Sequence, residues 1–266
     1  MRRFTHEGRI LVCFDFDETY FPHACSDDQL ASVRRLEDFL EKHSSHVSTM
    51  WVTGSSLESL HEKVEQANLR FWPHRIASSL GTELYRIETG GTFIEDKVYQ
   101  ELFPSDFLSR VERIVSQTGQ MRIQLEEQPG NGMSSWIRSY YARDQGGSWR
   151  EAIRMLTDSA GIAVNISQCN PNAGDPADAF DIDFYPIHAG KVSSIEYVCT
   201  TSSFVREDTY AFGDSGNDLN MLAHVGNGYL VNNATEQAKR LHSKVTKNPY
   251  AEGILEILEA DVSSFI

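Results

Sequence analysis

The stretch CFDFDETYFP (residues 13–22) closes an apolar run, Ile10 to Phe14, with three carboxylates in four positions: Asp15, Asp17 and Glu18. A buried strand that ends in clustered negative charge needs a compensating partner. Carboxylates two residues apart can also divide labour, one as a nucleophile and one as a proton-transfer group. Three further polar clusters fall where a strand ends or a helix begins: Thr53-Gly54-Ser55, Gly190-Lys191, and Gly213-Asp214-Ser215-Gly216-Asn217-Asp218. In open α/β sheets, ligands bind at the carboxyl ends of the strands. Asp15, Asp17, Asp214 and Asp218 gathered on one such edge would repel unless a cation sat among them. Hard oxygen ligands with several waters suit Mg2+. Thr53, Lys191 and Asn217 add hydroxyl, ammonium and amide donors for a phosphate oxygen.

Singly, each cluster has a plainer reading. Asp-x-Asp also occurs in solvated loops and helix caps, Thr-Gly-Ser in turns, a lone lysine on surfaces, and Gly/Asp/Asn-rich runs in ordinary strand-to-helix connections. Their order and shared placement at strand ends point to a metal-bound phosphate.

The elements that must position these clusters come in two textures. RILVCF (9–14) is a continuous apolar run, expected of a strand covered on both faces. Leu30, Val33, Leu36 and Leu40 then recur at helical spacing over 27–43, behind Asp27 and Asp28. A second strand and turn (46–56), a second amphipathic helix (57–67) and a third strand (74–85) follow. This alternation predicts a parallel sheet with right-handed crossovers. From 84 to 186 the pattern changes: a hairpin around Gly90-Gly91, alternating strands in MRIQLEEQ, SSWIRSYYAR, IAVNISQC and AFDIDFYPI, and helices near 105–118 and 149–159. That is an α+β insert with an antiparallel sheet. After Pro186 the first texture returns, with a helix (190–200), the strand TYAFGDS (209–215), a helix from Asn217, the strand GYLVNN (228–233) and two closing helices. The expected fold is therefore α/β: a discontinuous Rossmannoid core (1–83 and 187–266) interrupted by a cap domain (84–186).

The chain of 266 residues can bury a substantial core in one or two domains. Its net charge of −14 lacks the basic footprint of a nucleic-acid or anionic-membrane binder. Cys13, Cys25, Cys169 and Cys199 form no CxxC pair, so they read as reduced thiols without a zinc site or disulfide framework. The apolar run near the N-terminus is too short for a signal segment and no stretch has membrane-spanning length, so the expected location is cytoplasmic. The expected partner is a small molecule, with no nucleic acid and no membrane, and the expected state is a monomer or homodimer.

DFDET after a hydrophobic strand, VTGS, a lysine near 190 and GDSGNDLNML, followed by NGYLVNNAT, resemble the four motifs of the haloacid dehalogenase (HAD) superfamily. The resemblance covers roughly residues 9–83 and 187–250. The insert between the second and third motifs resembles a C2-type cap, like that of Cof-type sugar phosphatases and sucrose-phosphate phosphatase. A narrower similarity, to phosphatases of an aminohexose 6-phosphate, runs through DFDETYFPH, WVTGSS, FWPHRIASSLGTE and NISQCNPNAGDPADAFDIDFYPI. The resemblance implies that Asp15 attacks phosphorus and that Asp17 protonates the leaving oxygen, then activates water. It implies Mg2+ held by the Asp15 carboxylate, the Asp17 backbone carbonyl, Asp214, and Asp218 directly or through water. Thr53, Gly54, Lys191 and Asn217 would bind the phosphoryl group.

Substrate choice is expected to come from the cap, with Asn170, Asp175 and Asp181 as candidate contacts there beside Ser55 of the core, and Asn165, Ser167 and Asp183 as neighbouring polar positions of the cap. An ammonium group on an aminosugar would suit a cap carboxylate. Trp136, Tyr140 and Tyr141 read as sheet packing before sugar stacking, and His23 and His74 as loop hydrogen-bonding residues. Glu18 has no derivable role and is expected to face solvent. A phosphosugar mutase and a non-enzymatic phosphate sensor share the same core residues.

Overall fold

The first residues pair as β1 (Arg2–Arg3), and the apolar run after them becomes β2 (Ile10–Phe14), buried throughout. Helix α1 (Asp27–Lys42) starts at a reciprocal cap: Ser26 accepts from the Gln29 backbone N–H while the Gln29 side chain accepts from the Ser26 N–H. Its buried stripe is Val33, Leu36 and Leu40. Strand β3 (Val47–Val52) is buried at every position and leads through the Thr53 turn into α2 (Leu57–Gln66), capped by Ser56. Then come β4 (Phe71–Trp72), β5 (Arg75–Ser78), β6 (Glu83–Ile87) and β7 (Phe93–Glu95).

The next segment holds α3 (Lys97–Gln100), α4 (Phe107–Gln120), β8 (Glu126–Glu127), β9 (Arg138–Arg143), α5 (Trp149–Ala160), β10 (Ile162–Gln168) and β11 (Ala179–Pro186). Helix α6 (Lys191–Ser202), β12 (Thr209–Gly213), α7 (Leu219–His224), β13 (Asn227–Leu230), α8 (Glu236–Leu241) and α9 (Tyr250–Asp261) complete the chain. This computed structural model describes residues 1–129, 134–144, 146–169 and 176–261.

The chain divides into two units, Met1–Lys97 with Gly190–Ile266, and Val98–Ala189. The first is built on a seven-stranded sheet of order β13-β12-β2-β3-β5-β6-β7. Strands β13 to β5 run parallel, and β6 and β7 are antiparallel additions at the edge. Central parallel strands are covered by helices on both faces, which is why β2 and β3 carry unbroken apolar runs.

Two expectations change here. The strand expected over 74–85 is broken by a turn at Ser79–Gly81, where Ser79, Leu80 and Gly81 have φ of 52°, 56° and 72°. Three consecutive left-handed residues cannot continue a strand. The Gly90-Gly91 hairpin forms, joining β6 and β7, but β6 pairs with β5, so the hairpin extends the first unit's sheet to Glu95 and that unit runs to Lys97. The insert accordingly begins at Val98, not at residue 84.

The second unit carries an antiparallel sheet of order β10-β11-β9-β8. Alternation on β11 sends Ile182 and Phe184 to one face, where Phe107, Val111, Ile114, Trp149 and Ile153 of α4 and α5 cover them. The other face carries rows of polar residues: Asn165, Asp183 and Ser139 in one register, Ser167, Asp181 and Tyr141 in the next.

Candidate active site

Asp15 follows the last residue of β2, and its backbone N–H donates to the Phe212 carbonyl of β12 at 2.9 Å. The chain then folds back on itself: Tyr20 and Phe21 N–H groups donate to the Phe16 carbonyl at 3.0 and 2.8 Å. Phe16, Tyr20 and Phe21 are buried, and Phe16 and Tyr20 lie against Trp51. This aromatic cluster anchors the loop that carries Asp17.

Lys191 is the first residue of α6, preceded by Gly190 at φ 107°. Its Nζ donates to Asp15 Oδ1 at 2.5 Å and to Asp218 Oδ1 at 2.7 Å. The other Asp218 oxygen accepts from the backbone N–H groups of Asp214 and Ser215, each at 3.0 Å. Asp218 fills the space beside Gly213 so closely that a Cβ there would come within 2.5 Å of the Asp218 Cγ. Thr19 Oγ1 reaches Asp214 Oδ1 at 3.5 Å. One carboxylate oxygen each from Asp15, Asp214 and Asp218 lie within 4.8 Å of one another.

Three carboxylates face one ammonium here, so the cluster is short of positive charge. Burial, aided by Asp218 and Asp214, pushes the Asp15 carboxyl well above its ordinary value despite Lys191. Burial and Asp218 push Asp214 up to about 6. Burial opposes the charge on Lys191, but Asp15 and Asp218 outweigh it and raise its pKa. An all-oxygen, electron-rich donor set of this size fits a hard divalent cation such as Mg2+.

Asp17, two residues on, points into different surroundings. Its Oδ1 meets Lys63 Nζ at 2.5 Å and His23 Nε2 at 2.8 Å. Its Oδ2 accepts from Ser55 Oγ at 2.8 Å and from Thr53 Oγ1 at 3.4 Å. Burial opposes its ionisation, but Lys63, His23 and Ser55 overcome that and bring its pKa below the usual value. Its side chain is therefore not part of the three-carboxylate cluster.

The structure brings Asp15, Lys191, Asp214 and Asp218 into one contact network and Asp17, Thr53 and Ser55 into a second. Thr53 is buried at the end of β3, its N–H donating to the Ala77 carbonyl at 2.9 Å, and Gly54 is exposed beside it. Asn217 is exposed; its Oδ1 accepts from Ser215 Oγ at 2.7 Å, leaving its amide NH2 without a partner among the described residues.

In the second unit, Asp181 Oδ1 accepts from Gln128 Nε2 at 2.8 Å and from Cys169 Sγ at 3.4 Å. Asp183 accepts from Ser139 Oγ at 2.7 Å and Asn165 Nδ2 at 3.2 Å, and burial raises its pKa. Asn165 also donates to Ser167 at 3.4 Å. Trp136 packs on Phe103 and Phe107, and Tyr140 on Phe184, in the sheet's core. Asn170 and Asp175 lie outside the described residues.

Nothing in LESLHEKVEQ separates Lys63 from any solvent-facing helix lysine, so its contact with Asp17 is not legible in the sequence. Glu18 departs from expectation: it sits at φ 57°, half-buried, with its carboxylate against His23 Nδ1 at 3.0 Å. His74 is fully buried, its Nδ1 accepting from the Thr49 N–H at 2.9 Å, and burial brings its pKa down to about 4.

The sucrose-6F-phosphate phosphohydrolase family matches residues 8–260. The chain is 38% identical over 97% of its length to the kanosamine-6-phosphate phosphatase of Bacillus subtilis, covering 94% of that protein. A haloacid dehalogenase-like hydrolase structure from Bacillus subtilis superposes with a TM-score of 0.81 at 35% identity, over 98% of this chain and 94% of that one. The sucrose-phosphatase of Synechocystis, solved with sucrose and phosphate, shares the fold at a TM-score of 0.72 and 19% identity, over 95% and 98% of the two chains. The chain belongs to the sucrose-6F-phosphate phosphohydrolase family of HAD-like hydrolases.

Proposed function

We propose that this protein is a Mg2+-dependent phosphatase of a hexose or aminohexose 6-phosphate, with kanosamine 6-phosphate as the leading substrate. The observation that carries this reading is the separation of two carboxylates two residues apart. Asp15 sits with Lys191, Asp214 and Asp218, while Asp17 sits with Lys63, His23, Ser55 and Thr53. That division suits a nucleophile beside a cation and an acid/base beside it.

In the first step an Asp15 oxygen attacks phosphorus, the bond to the sugar oxygen breaks, and Asp17 gives that oxygen its proton. In the second, Asp17 takes a proton from water as the water oxygen attacks the aspartyl-phosphate, releasing phosphate and free Asp15. Lys191, Thr53, the Gly54 turn and Asn217 donate to the transferred phosphoryl oxygens. Asp15, Asp214, the Asp17 carbonyl and Asp218, the last directly or through water, would hold Mg2+, which when bound neutralises the clustered charge and polarises the phosphoryl group. Asp17 is ionised as it stands, ready as a base; it must gain a proton before acting as an acid.

The 38% identity to a kanosamine-6-phosphate phosphatase supports the substrate assignment. So does the polar sheet face of residues 98–189, whose Asp181 and Asp183 would suit an ammonium group. This unit would serve as the substrate cap. A Mg2+-dependent phosphate-release screen over hexose and aminohexose 6-phosphates tests the reading. We expect preference for an aminohexose 6-phosphate and at least a thousandfold loss in Asp15→Asn and Asp17→Asn. Flat activity across the panel would make it a broad-specificity sugar phosphatase, and isomerised sugar phosphate without free phosphate would make it a mutase. Binding without turnover would make it a sensor.

A further inference from the structure

A short aspartate has only two side-chain torsions, and its terminal one is broad and soft. A carboxylate that must meet a leaving oxygen and then a water in one geometry therefore needs partners on both of its oxygens. Asp17 has them. Lys63 Nζ lies 2.5 Å from Oδ1 and also donates to Ser55 Oγ at 2.9 Å, while Ser55 Oγ donates to Oδ2 at 2.8 Å. One ammonium thus engages one carboxylate oxygen directly and orients the hydroxyl that engages the other.

Lys63 is well placed to do this rigidly. It stands on α2 beside the buried Val64 and one turn beyond the buried Leu60, and its side chain is only 21% exposed. A lysine that loses its rotamer freedom in this way is costly to order, which weighs against a chance surface pair. The two ammonium groups of the region also divide cleanly: Lys191 serves Asp15 and Asp218, and Lys63 serves Asp17 and Ser55.

We propose that Lys63 is a positioning residue for the acid/base step: through its contacts with Asp17 and Ser55 it fixes the Asp17 carboxylate where the leaving oxygen and the attacking water require it. The inference rests on the phosphatase reading above. It assigns Ser55 to the same task in place of the substrate contact expected from sequence. His23 holds the far side of Oδ1, braced by the Glu18 carboxylate at 3.0 Å from its Nδ1.

The test uses leaving-group chemistry. A sugar alkoxide departs poorly without a proton, whereas p-nitrophenolate departs readily without one. In kcat/KM, which reports events up to departure of the leaving group, a group acting through Asp17 must therefore matter for the first and little for the second; the water step, common to both substrates, lies beyond it. In Lys63→Met, kcat/KM for the best sugar phosphate of the wild type should fall about 30- to 100-fold, within the range attributed to general acid catalysis. The same ratio for p-nitrophenyl phosphate should stay within about threefold. The sugar loss should appear in kcat with KM nearly unchanged, and Lys63→Arg should recover most of it.

Equal losses on both substrates, or no loss on the sugar phosphate, would overturn the proposal. Crystal structures of wild type and Lys63→Met give a readout independent of turnover. The Asp17 carboxylate should keep one orientation in the first and lose it in the second; an unmoved carboxylate in the variant would also overturn it. A wild type that releases no phosphate from either substrate would defeat the phosphatase reading and would leave the crystallographic comparison to judge the placement of Asp17.

Discussion

Asp15 and Asp17 are separated by one phenylalanine yet titrate in opposite directions, and the cause is which charges reach them. Burial and two neighbouring carboxylates act on Asp15, against Lys191 alone. Lys63 and His23 act on Asp17 and win over its burial. Asp218 sits at the hinge of the first arrangement. It is fully buried, with one oxygen on Lys191 and the other on two backbone N–H groups. An asparagine there has one donor end, which must face either the Lys191 ammonium or the Asp214 and Ser215 N–H groups. Donor against donor in a buried place costs more than the relief of carboxylate repulsion returns. Asp218→Asn should therefore lose about 3 kcal/mol of unfolding free energy, measured by urea titration. A loss below roughly 0.5 kcal/mol, as at an ordinary surface position, would show that Asp218 is not the anchor of Lys191.

The elements place Lys191 by a close approach of backbones. The left-handed turn between β5 and β6 brings Gly81 against Gly190, the residue just before Lys191, so that a Cβ on Gly81 would lie 2.7 Å from the Gly190 nitrogen. Gly81→Ala must push Gly190 away, and Lys191 with it, besides straining its own φ of 72° by about 1 kcal/mol. Gly146 has a similar φ of 68° and open space around it, so Gly146→Ala carries the strain alone. We expect comparable stability loss from strain in both, but a kcat reduced at least tenfold only in Gly81→Ala; equal kcat in the two variants would remove the turn from the site's support. This turn also marks the limit of what the sequence discloses. The strand ends bearing Asp15, Thr53 and Asp214 were readable because apolar runs stop abruptly at polar, glycine-rich residues. The break at Ser79 and Leu80 was not, since non-glycine residues at positive φ are held there by tertiary contacts. The β6–β7 hairpin was readable from Gly90-Gly91, but its membership of the core sheet depends on β6 turning back onto β5 across the Ser79–Gly81 turn, which tertiary contacts hold. Lys63 was invisible for the same reason: helical spacing says which face it occupies, not which carboxylate waits there.

At the scale of the whole molecule, the carboxylate cluster ties together distant parts of the chain. Asp15 comes from the first strand of the large sheet, and Asp214 and Asp218 follow the β12 strand, all within the unit formed by Met1–Lys97 and Gly190–Ile266. A cation that binds them binds the folded state and not the unfolded one, so Mg2+ should stabilise the protein by mass action, about 2.7 kcal/mol at a hundredfold excess over its Kd. Part of the pH dependence follows from Asp214; Asp15, raised by burial, adds to it in the same direction. The Asp214 carboxyl titrates near 6 when folded without metal and near 3.8 as a free side chain. Between those values the metal-free folded state holds a proton that the unfolded chain has released. This group's contribution is therefore fully present below pH 4 and is lost as pH rises through 6. Mg2+ competes with these protons, so its stabilising shift should be small at pH 5 and substantially larger at pH 7.5. Asp214→Asn removes this carboxyl's share of the pH effect and one of the cation's ligands: without metal it should be at least as stable as the wild type at pH 7.5, and its melting temperature should respond little to Mg2+. Melting curves of both proteins at pH 5 and 7.5, with and without Mg2+, separate the possibilities. A wild-type shift equal at the two pH values, or one that survives intact in Asp214→Asn, would place the cation somewhere other than among Asp15, Asp214 and Asp218.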